Sequence, residues 1–214
     1  MHVLITGANR GIGKALADAA RARGDIVTGT ARRPADDLLP LDVTDAASVR
    51  ALADRLSGQP IDLLVCNAGV YPDKGHRLED GYGPEVWAEA FAVNVTGVFL
   101  TIRALLPNVE QARGKIAILS SIMASDANAP GGSYAYRASK AAALNLGRNL
   151  AVDLAPRGIS VGIYHPGWVR TEMGGPQAQV EPEEAARGLL GRFDALGPNT
   201  SGCFEDYTGQ PIPF

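Results

Sequence analysis

The sequence predicts an open, doubly wound α/β fold with a mainly parallel sheet of about seven strands, and three observations carry that prediction. Short apolar runs alternate with segments of helical periodicity along the whole chain. The runs are nearly continuous in apolar residues, as strands covered by helices on both faces are. A glycine-rich turn, Thr6-Gly7-Ala8-Asn9-Arg10-Gly11-Ile12-Gly13, joins the first run directly to the first helical segment. With neither an internal repeat nor a linker, residues 1–214 are expected to form one domain.

His2 to Ile5 is a β-branched run that stops at Thr6-Gly7, and Ile12, Leu16 and Ala19/Ala20 then recur at helical spacing as far as Arg23. Gly24 ends that helix, Ile26 to Ala31 reads as a second strand and Leu39 to Val43 as a third. So short a connection leaves little room for a crossover helix. Thr44 or Asp45 can cap a helix reaching Leu56, and Ile61 to Cys66 makes a fourth strand, broken by Asn67-Ala68-Gly69. From Pro84 to Leu106 the residues Trp87, Phe91, Val95, Val98, Phe99 and Ile102 mark one long amphipathic helix, which Pro107 is expected to end. Ile116 to Ser120 and Ile159 to Tyr164 are further strands flanking a long Ala- and Leu-rich helix from Tyr134 to Leu154. Pro182 to Leu196 gives a last helix and Gly202 to Tyr207 an edge strand.

Composition narrows the function. Lys and Arg number 20 against 23 Asp and Glu, a net charge of -3, so a nucleic-acid or anionic-membrane partner is not expected and a small molecule is. Cys66 and Cys203 stand far apart outside any CxxC spacing, which suits a reducing, cytoplasmic setting. His2, His76 and His165 show no ligand-like clustering, so no metal site is expected. No basic leader precedes the first strand, and no apolar run is expected to reach the ~20 residues of a membrane span.

Three groups of residues carry chemistry. The glycine-rich turn opens a helix, where bare N–H groups and the helix dipole favour a phosphate. Tyr136 and Lys140 lie four apart on one helical face, so an ammonium can favour the ionised form of a phenol that serves as acid or base. Tyr134 points elsewhere and is expected to be a wall of the substrate site. At the end of the second strand, where an acidic residue would bind a ribose 2′-hydroxyl, stand Ala31, Arg32 and Arg33. Arg32, aided by Arg10, would pair with a 2′-phosphate, which favours NADPH/NADP+ over NADH.

The spacing Thr-Gly-x-x-x-Gly-x-Gly resembles that of the short-chain dehydrogenase/reductase family, and further matches follow in order: Leu41-Asp42-Val43, Asn67-Ala68-Gly69, Tyr136-Arg137-Ala138-Ser139-Lys140, and Pro166-Gly167 with Thr171. The stretches Tyr134 to Lys140 and His165 to Gly175, which include Trp168 and Val169, look like the subgroup of C-factor signalling proteins and sniffer-type carbonyl reductases. The resemblance implies a Rossmann fold and a cofactor site of Gly7, Asn9, Arg10, Gly11, Ile12, Gly13, Arg32, Asp42, Val43, Asn67, Ala68, Gly69, Tyr136, Lys140, Pro166, Gly167, Val169 and Thr171. It implies a catalytic set of Asn94, Ser121, Tyr136 and Lys140, with Tyr136 as general acid/base between a carbonyl and an alcohol. The family's serine commonly stands thirteen residues before the tyrosine, where this chain has Met123; Ser121 is assigned instead, with Ser120 and Ser125 as alternatives. Asn94 would help hold a water beside the lysine or satisfy a helix kink, and Asn67 would support the cofactor ribose or shape its turn. The resemblance also implies a homodimer or homotetramer. A nucleotide-binding signalling protein of C-factor type, with little required turnover, is the competing reading.

Overall fold

Val3, Leu4, Ile5, Leu63, Leu64 and Val65 are almost fully withdrawn from solvent, because helices cover both faces of the strands that carry them. In the computed structural model, which describes residues 1–35, 37–79 and 81–214, β1 (His2–Ile5), β2 (Ile26–Ala31), β3 (Leu39–Pro40), β4 (Leu63–Cys66), β5 (Lys115–Leu119), β6 (Ser160–His165) and β7 (Phe204–Asp206) form one sheet. Its order is β3-β2-β1-β4-β5-β6-β7 and every pairing is parallel. Register is set by apolar partners, with Val3 opposite both Val27 and Leu63, and Ile118 opposite Ile163. The strand order reverses between β1 and β4, so a crevice opens at their carboxyl ends, where such sheets bind ligands.

Helices α1 (Gly11–Ala22) and, late in the chain, Pro182–Ala195 cover one face, packing Leu16, Ala20, Leu189 and Phe193 on Val3, Ile5 and Val65. The other face meets α2 (Ala46–Arg55) and the two long helical stretches, through Val49, Leu52, Ile102, Leu105 and Leu154. Each such side chain contributes about 1.5–3 kcal/mol by leaving water. Asp45 caps α2 by accepting from the Ala47 N–H at 2.9 Å, one of the two residues expected to do so.

The long helix expected over 84–106 differs from a single regular element. It comprises α3 (Pro84–Phe91), a π-helical turn at Ala92–Gly97 and α4 (Val98–Ala112). Pro107 does not end it: the proline removes the donor to the Arg103 carbonyl, but both residues are exposed, so solvent can serve that oxygen. The whole stretch Pro84–Ala112 is 29 residues long and by length and composition could cross a membrane, which corrects the expectation that no apolar run reaches that length. Here it packs Val98, Ile102, Leu105 and Val109 against the sheet as a core helix. The remaining helices are α5 (Tyr134–Leu154) and α6 (Pro182–Ala195). Among the described residues, the β2–β3 connection contains no helix, as its length predicts.

Candidate active site

At the carboxyl end of β1 the chain must turn sharply and bring α1 close to the sheet. Gly7 and Gly11 take left-handed backbone conformations, φ 68° and 54°. Gly13 is required by space, since a Cβ there would lie 2.2 Å from the Gly7 carbonyl oxygen and 2.4 Å from Asn67 Nδ2. Asn67 holds this turn from across the crevice, donating to the Thr6 carbonyl at 2.8 Å and the Gly7 carbonyl at 3.1 Å. These two bonds shape the turn. Arg10 at the N-cap makes no side-chain cap bond to α1, and among the described residues no acidic residue stands in its first turn.

This turn lines a cleft of about 1350 Å³. Gly7, Asn9, Arg10, Gly11, Ile12, Gly13, Arg32, Asp42, Val43, Asn67, Ala68, Gly69, Tyr136, Lys140, Pro166 and Thr171 all border it; Gly167 and Val169, from the same prediction, do not. Gly167 instead turns the chain with φ 88°, and buried Val169 pairs with Val180, so both shape the loop from behind. Thr171 reaches the glycine turn and would meet a Cβ on Gly11 at 3.3 Å. Asp42 is held below the ordinary carboxylate range chiefly by the Thr44 hydroxyl and N–H, with the Arg32 guanidinium adding to the effect. Arg10, which borders the cleft, pairs its exposed guanidinium with Glu172, tying the glycine turn to the loop after β6.

At the other end of the cleft, α5 presents Tyr136 and Lys140, both buried. The Lys140 ammonium donates to the Leu119 carbonyl at 2.9 Å and lies 5.7 Å from the centre of the Tyr136 ring. Burial lowers Lys140 to about 8 and raises the Tyr136 phenol well above its ordinary value; the Ser121 hydroxyl, within hydrogen-bonding reach, opposes that rise, while Tyr71 and Asp73 add to it. The expectation that the neighbouring ammonium lowers the phenol is thus outweighed by desolvation. The Ser121 hydroxyl lies beside the phenol and accepts from the Met123 N–H at 3.1 Å, whereas Ser120 is the serine that borders the cleft. Ser120 turns its hydroxyl to the Lys140 carbonyl at 3.0 Å, and Ser125 to the Pro213 carbonyl. Asn94 sits in the π-helical turn, accepting from the Val70 N–H and donating to the Val70 carbonyl, each at 2.9 Å, and to the Ser139 hydroxyl at 3.0 Å. These bonds go to the Val70 backbone and to α5 and none to the carbonyls of its own turn, and they place Asn94 beside the lysine: a Cβ on Gly69 would lie 3.2 Å from Asn94 Oδ1 and 3.5 Å from Lys140 Nζ.

Three residues at this end were not foreseen. Tyr71 stacks on Tyr136 with ring centres 4.0 Å apart, and Tyr71, Asp73 and Tyr82 all bond the first residues of α5 or its preceding turn. The 71–83 loop, whose Gly and Pro content suggests a movable cover, is fastened at these points; residue 80 lies outside the described residues. Trp168 is half exposed and donates to the Gly174 carbonyl at 3.0 Å outside the cleft lining, whereas Met173 borders the cleft. Tyr134 is also partly exposed, edge-on to Tyr82.

Comparison with known proteins agrees with this architecture. The short chain dehydrogenase family model matches residues 1–182. C-signal of Myxococcus xanthus is 39% identical over 171 residues, 78% of this chain and 100% of that one. Two solved structures superpose on the chain over its full length: the carbonyl reductase Sniffer of D. melanogaster, with a TM-score of 0.93 at 27% identity and 99% of that chain covered, and an NADPH-bound carbonyl reductase from chicken fatty liver, at 0.90, 29% and 98%. The chain therefore belongs to the short-chain dehydrogenase/reductase family of oxidoreductases, and within it to the C-factor and sniffer type.

Proposed function

We propose that this protein is an NADPH-dependent reductase of a small carbonyl compound, working in reverse as an alcohol dehydrogenase, and that residues 1–214 form one nucleotide-binding domain with integral substrate loops. The observation that carries the reading is the convergence, in one cleft, of the glycine turn with the Tyr136 phenol and the Lys140 ammonium, with the Ser121 hydroxyl beside the phenol. The residues fit a dinucleotide. Gly13 leaves room where a Cβ would meet the Gly7 carbonyl, the N-cap residue of α1 makes no side-chain cap bond, and Arg32 supplies a guanidinium at the end of β2. The NADPH bound to the chicken carbonyl reductase supports the phosphorylated cofactor. Bound there, NADPH supplies a hydride to the carbonyl carbon.

The chain's own groups then manage the oxygen. In this reading Ser121 and Tyr136 hold it, and Tyr136 gives it a proton, so that no free alkoxide forms; in oxidation the same phenol takes the proton back. Lys140 is anchored through Leu119, which fixes its charge near the phenol. Asn94 holds the Val70 backbone and so the wall beneath Lys140. Tyr136→Phe tests this reading: NADPH affinity should be unchanged while carbonyl reduction falls about 10²–10⁴-fold, and undiminished turnover would contradict it.

A second reading has support from C-signal, of which this chain covers the full length. In it the nucleotide-bound fold is itself the signal and turnover is incidental. The tyrosine and lysine at their four-residue spacing, with a serine beside the phenol, favour the enzyme.

A further inference from the structure

Helix α5 begins without a cap of its own. The chain enters it through three left-handed residues, Gly131, Gly132 and Ser133 (φ 88°, 72° and 51°), and the Ser133 side chain makes no cap bond. Its hydroxyl is engaged by Tyr71, and its N–H donates to the Tyr82 hydroxyl at 3.1 Å. Yet the helix carries Tyr136 in its first turn, where an uncapped end would fray. The missing acceptor comes from 62 residues away: Asp73, with no exposed surface, accepts from the Ala135 N–H at 2.8 Å and from the Tyr136 N–H at 3.2 Å through each of its carboxylate oxygens. The same loop lays Tyr71 flat on the Tyr136 ring.

We infer that Asp73 is a positioning residue for the Tyr136 phenol: by capping the catalytic helix from the loop after β4, it holds that phenol at the cleft and the Tyr71 ring against it. The inference rests on the reading of Tyr136 as the acid/base and adds to it a residue that touches neither substrate nor cofactor. A buried carboxylate that bonds the very N–H of Tyr136 does more than close a helix, because it fixes the backbone from which the phenol hangs and places a negative charge nearby. Among the described residues, the groups facing the phenol are Lys140 from its own helix, Ser121 from the end of β5, and Tyr71 and Asp73 from the loop.

The test compares wild type, Asp73→Asn, which keeps an acceptor, and Asp73→Ala, which keeps none. Three quantities are measured: the NADPH dissociation constant, the pH dependence of kcat, and amide exchange at Ala135 and Tyr136. In Asp73→Ala the protection of both amides should fall about tenfold and kcat about ten- to a hundredfold, with NADPH affinity held within about twofold. Asp73→Asn should recover most of the protection, and loss of the negative charge should move the phenol's apparent pKa downward. If Asp73→Ala loses amide protection but keeps the wild-type kcat and pH profile, Asp73 only closes a helix and the inference fails. If Asp73→Ala does not fold, the Asp73→Asn profile decides: an unmoved pKa and unmoved kcat overturn the proposal. Wild type that oxidises no NADPH with any carbonyl would instead bring down the functional reading, and unchanged amide protection in Asp73→Ala would separately show that the anchor itself is absent.

Discussion

At the β1 end of the cleft the walls are backbone and glycine, whereas at the β4–β5 end they are buried polar side chains drawn from four separate segments: the 71–73 turn, the π-helical turn, the residues after β5, and α5. The first end is made by removing side chains, so that Gly13 can approach Gly7 and leave N–H groups bare. The second is made by burying groups that would rather be in water, with Lys140 lowered to about 8 and the phenol pushed up. Recognition of a phosphate needs open backbone donors; proton transfer needs titratable groups moved from their ordinary values. The contrast says that the cofactor end adds close packing to the fold, while the catalytic end subtracts stability from it.

Substitutions can break each half separately. The largest loss of cofactor binding is expected at the glycine end: Gly13→Ala forces a Cβ to 2.2 Å from the Gly7 carbonyl, so NADPH affinity should fall about a hundredfold and stability by about 1–3 kcal/mol, read by titration and thermal melting. Retained affinity would show that the turn is softer than its geometry implies.

At the catalytic end the sign reverses. Lys140 stands at about 8 in the fold against an ordinary 10.5, so the unfolded chain holds that proton more tightly. Folding bears the full penalty below pH 8, and stability contributed by this group returns as pH rises from 8 to 10.5. Lys140→Met, which removes the penalty and loses one bond to the Leu119 carbonyl, should stabilise the fold by about 2 kcal/mol at pH 7 while abolishing turnover, and should flatten the pH dependence across that window. Denaturant unfolding at several pH values checks this; destabilisation at pH 7 would contradict it. The smallest effect is expected from Arg32→Asp, which borders the cleft at the end of β2: NADPH preference over NADH should drop about tenfold with stability unchanged, measured as the ratio of the two dissociation constants. An unaltered preference would move phosphate recognition to Arg10 or Arg33.

The same contrast explains what could be read from the chain alone. The glycine turn, the strands and the Tyr136–Lys140 pair are local, and their spacing expresses their geometry: three glycines around one turn, two side chains one helical turn apart. Asp73, Tyr71 and Tyr82 meet α5 across more than fifty residues, and no spacing rule links a loop carboxylate to a distant helix end. Ser121 needed the resemblance, because Met123 stands at the usual spacing before Tyr136 and nothing local marks which nearby serine replaces it. Pro107 does not stop the helix, because its cost depends on whether the orphaned carbonyl meets solvent, which is a property of the packed helix. The ion pair of Arg10 with Glu172, 162 residues later, is likewise invisible to spacing.

The most direct measurement is titration of the purified protein with NADPH and NADH, followed by a panel of carbonyl compounds monitored for loss of reduced cofactor. The account predicts tighter binding of NADPH than of NADH and steady oxidation of NADPH by at least one carbonyl. Failure of the cleft to bind either nucleotide would contradict it outright, and NADPH binding without turnover on a broad panel would move the weight to the signalling reading.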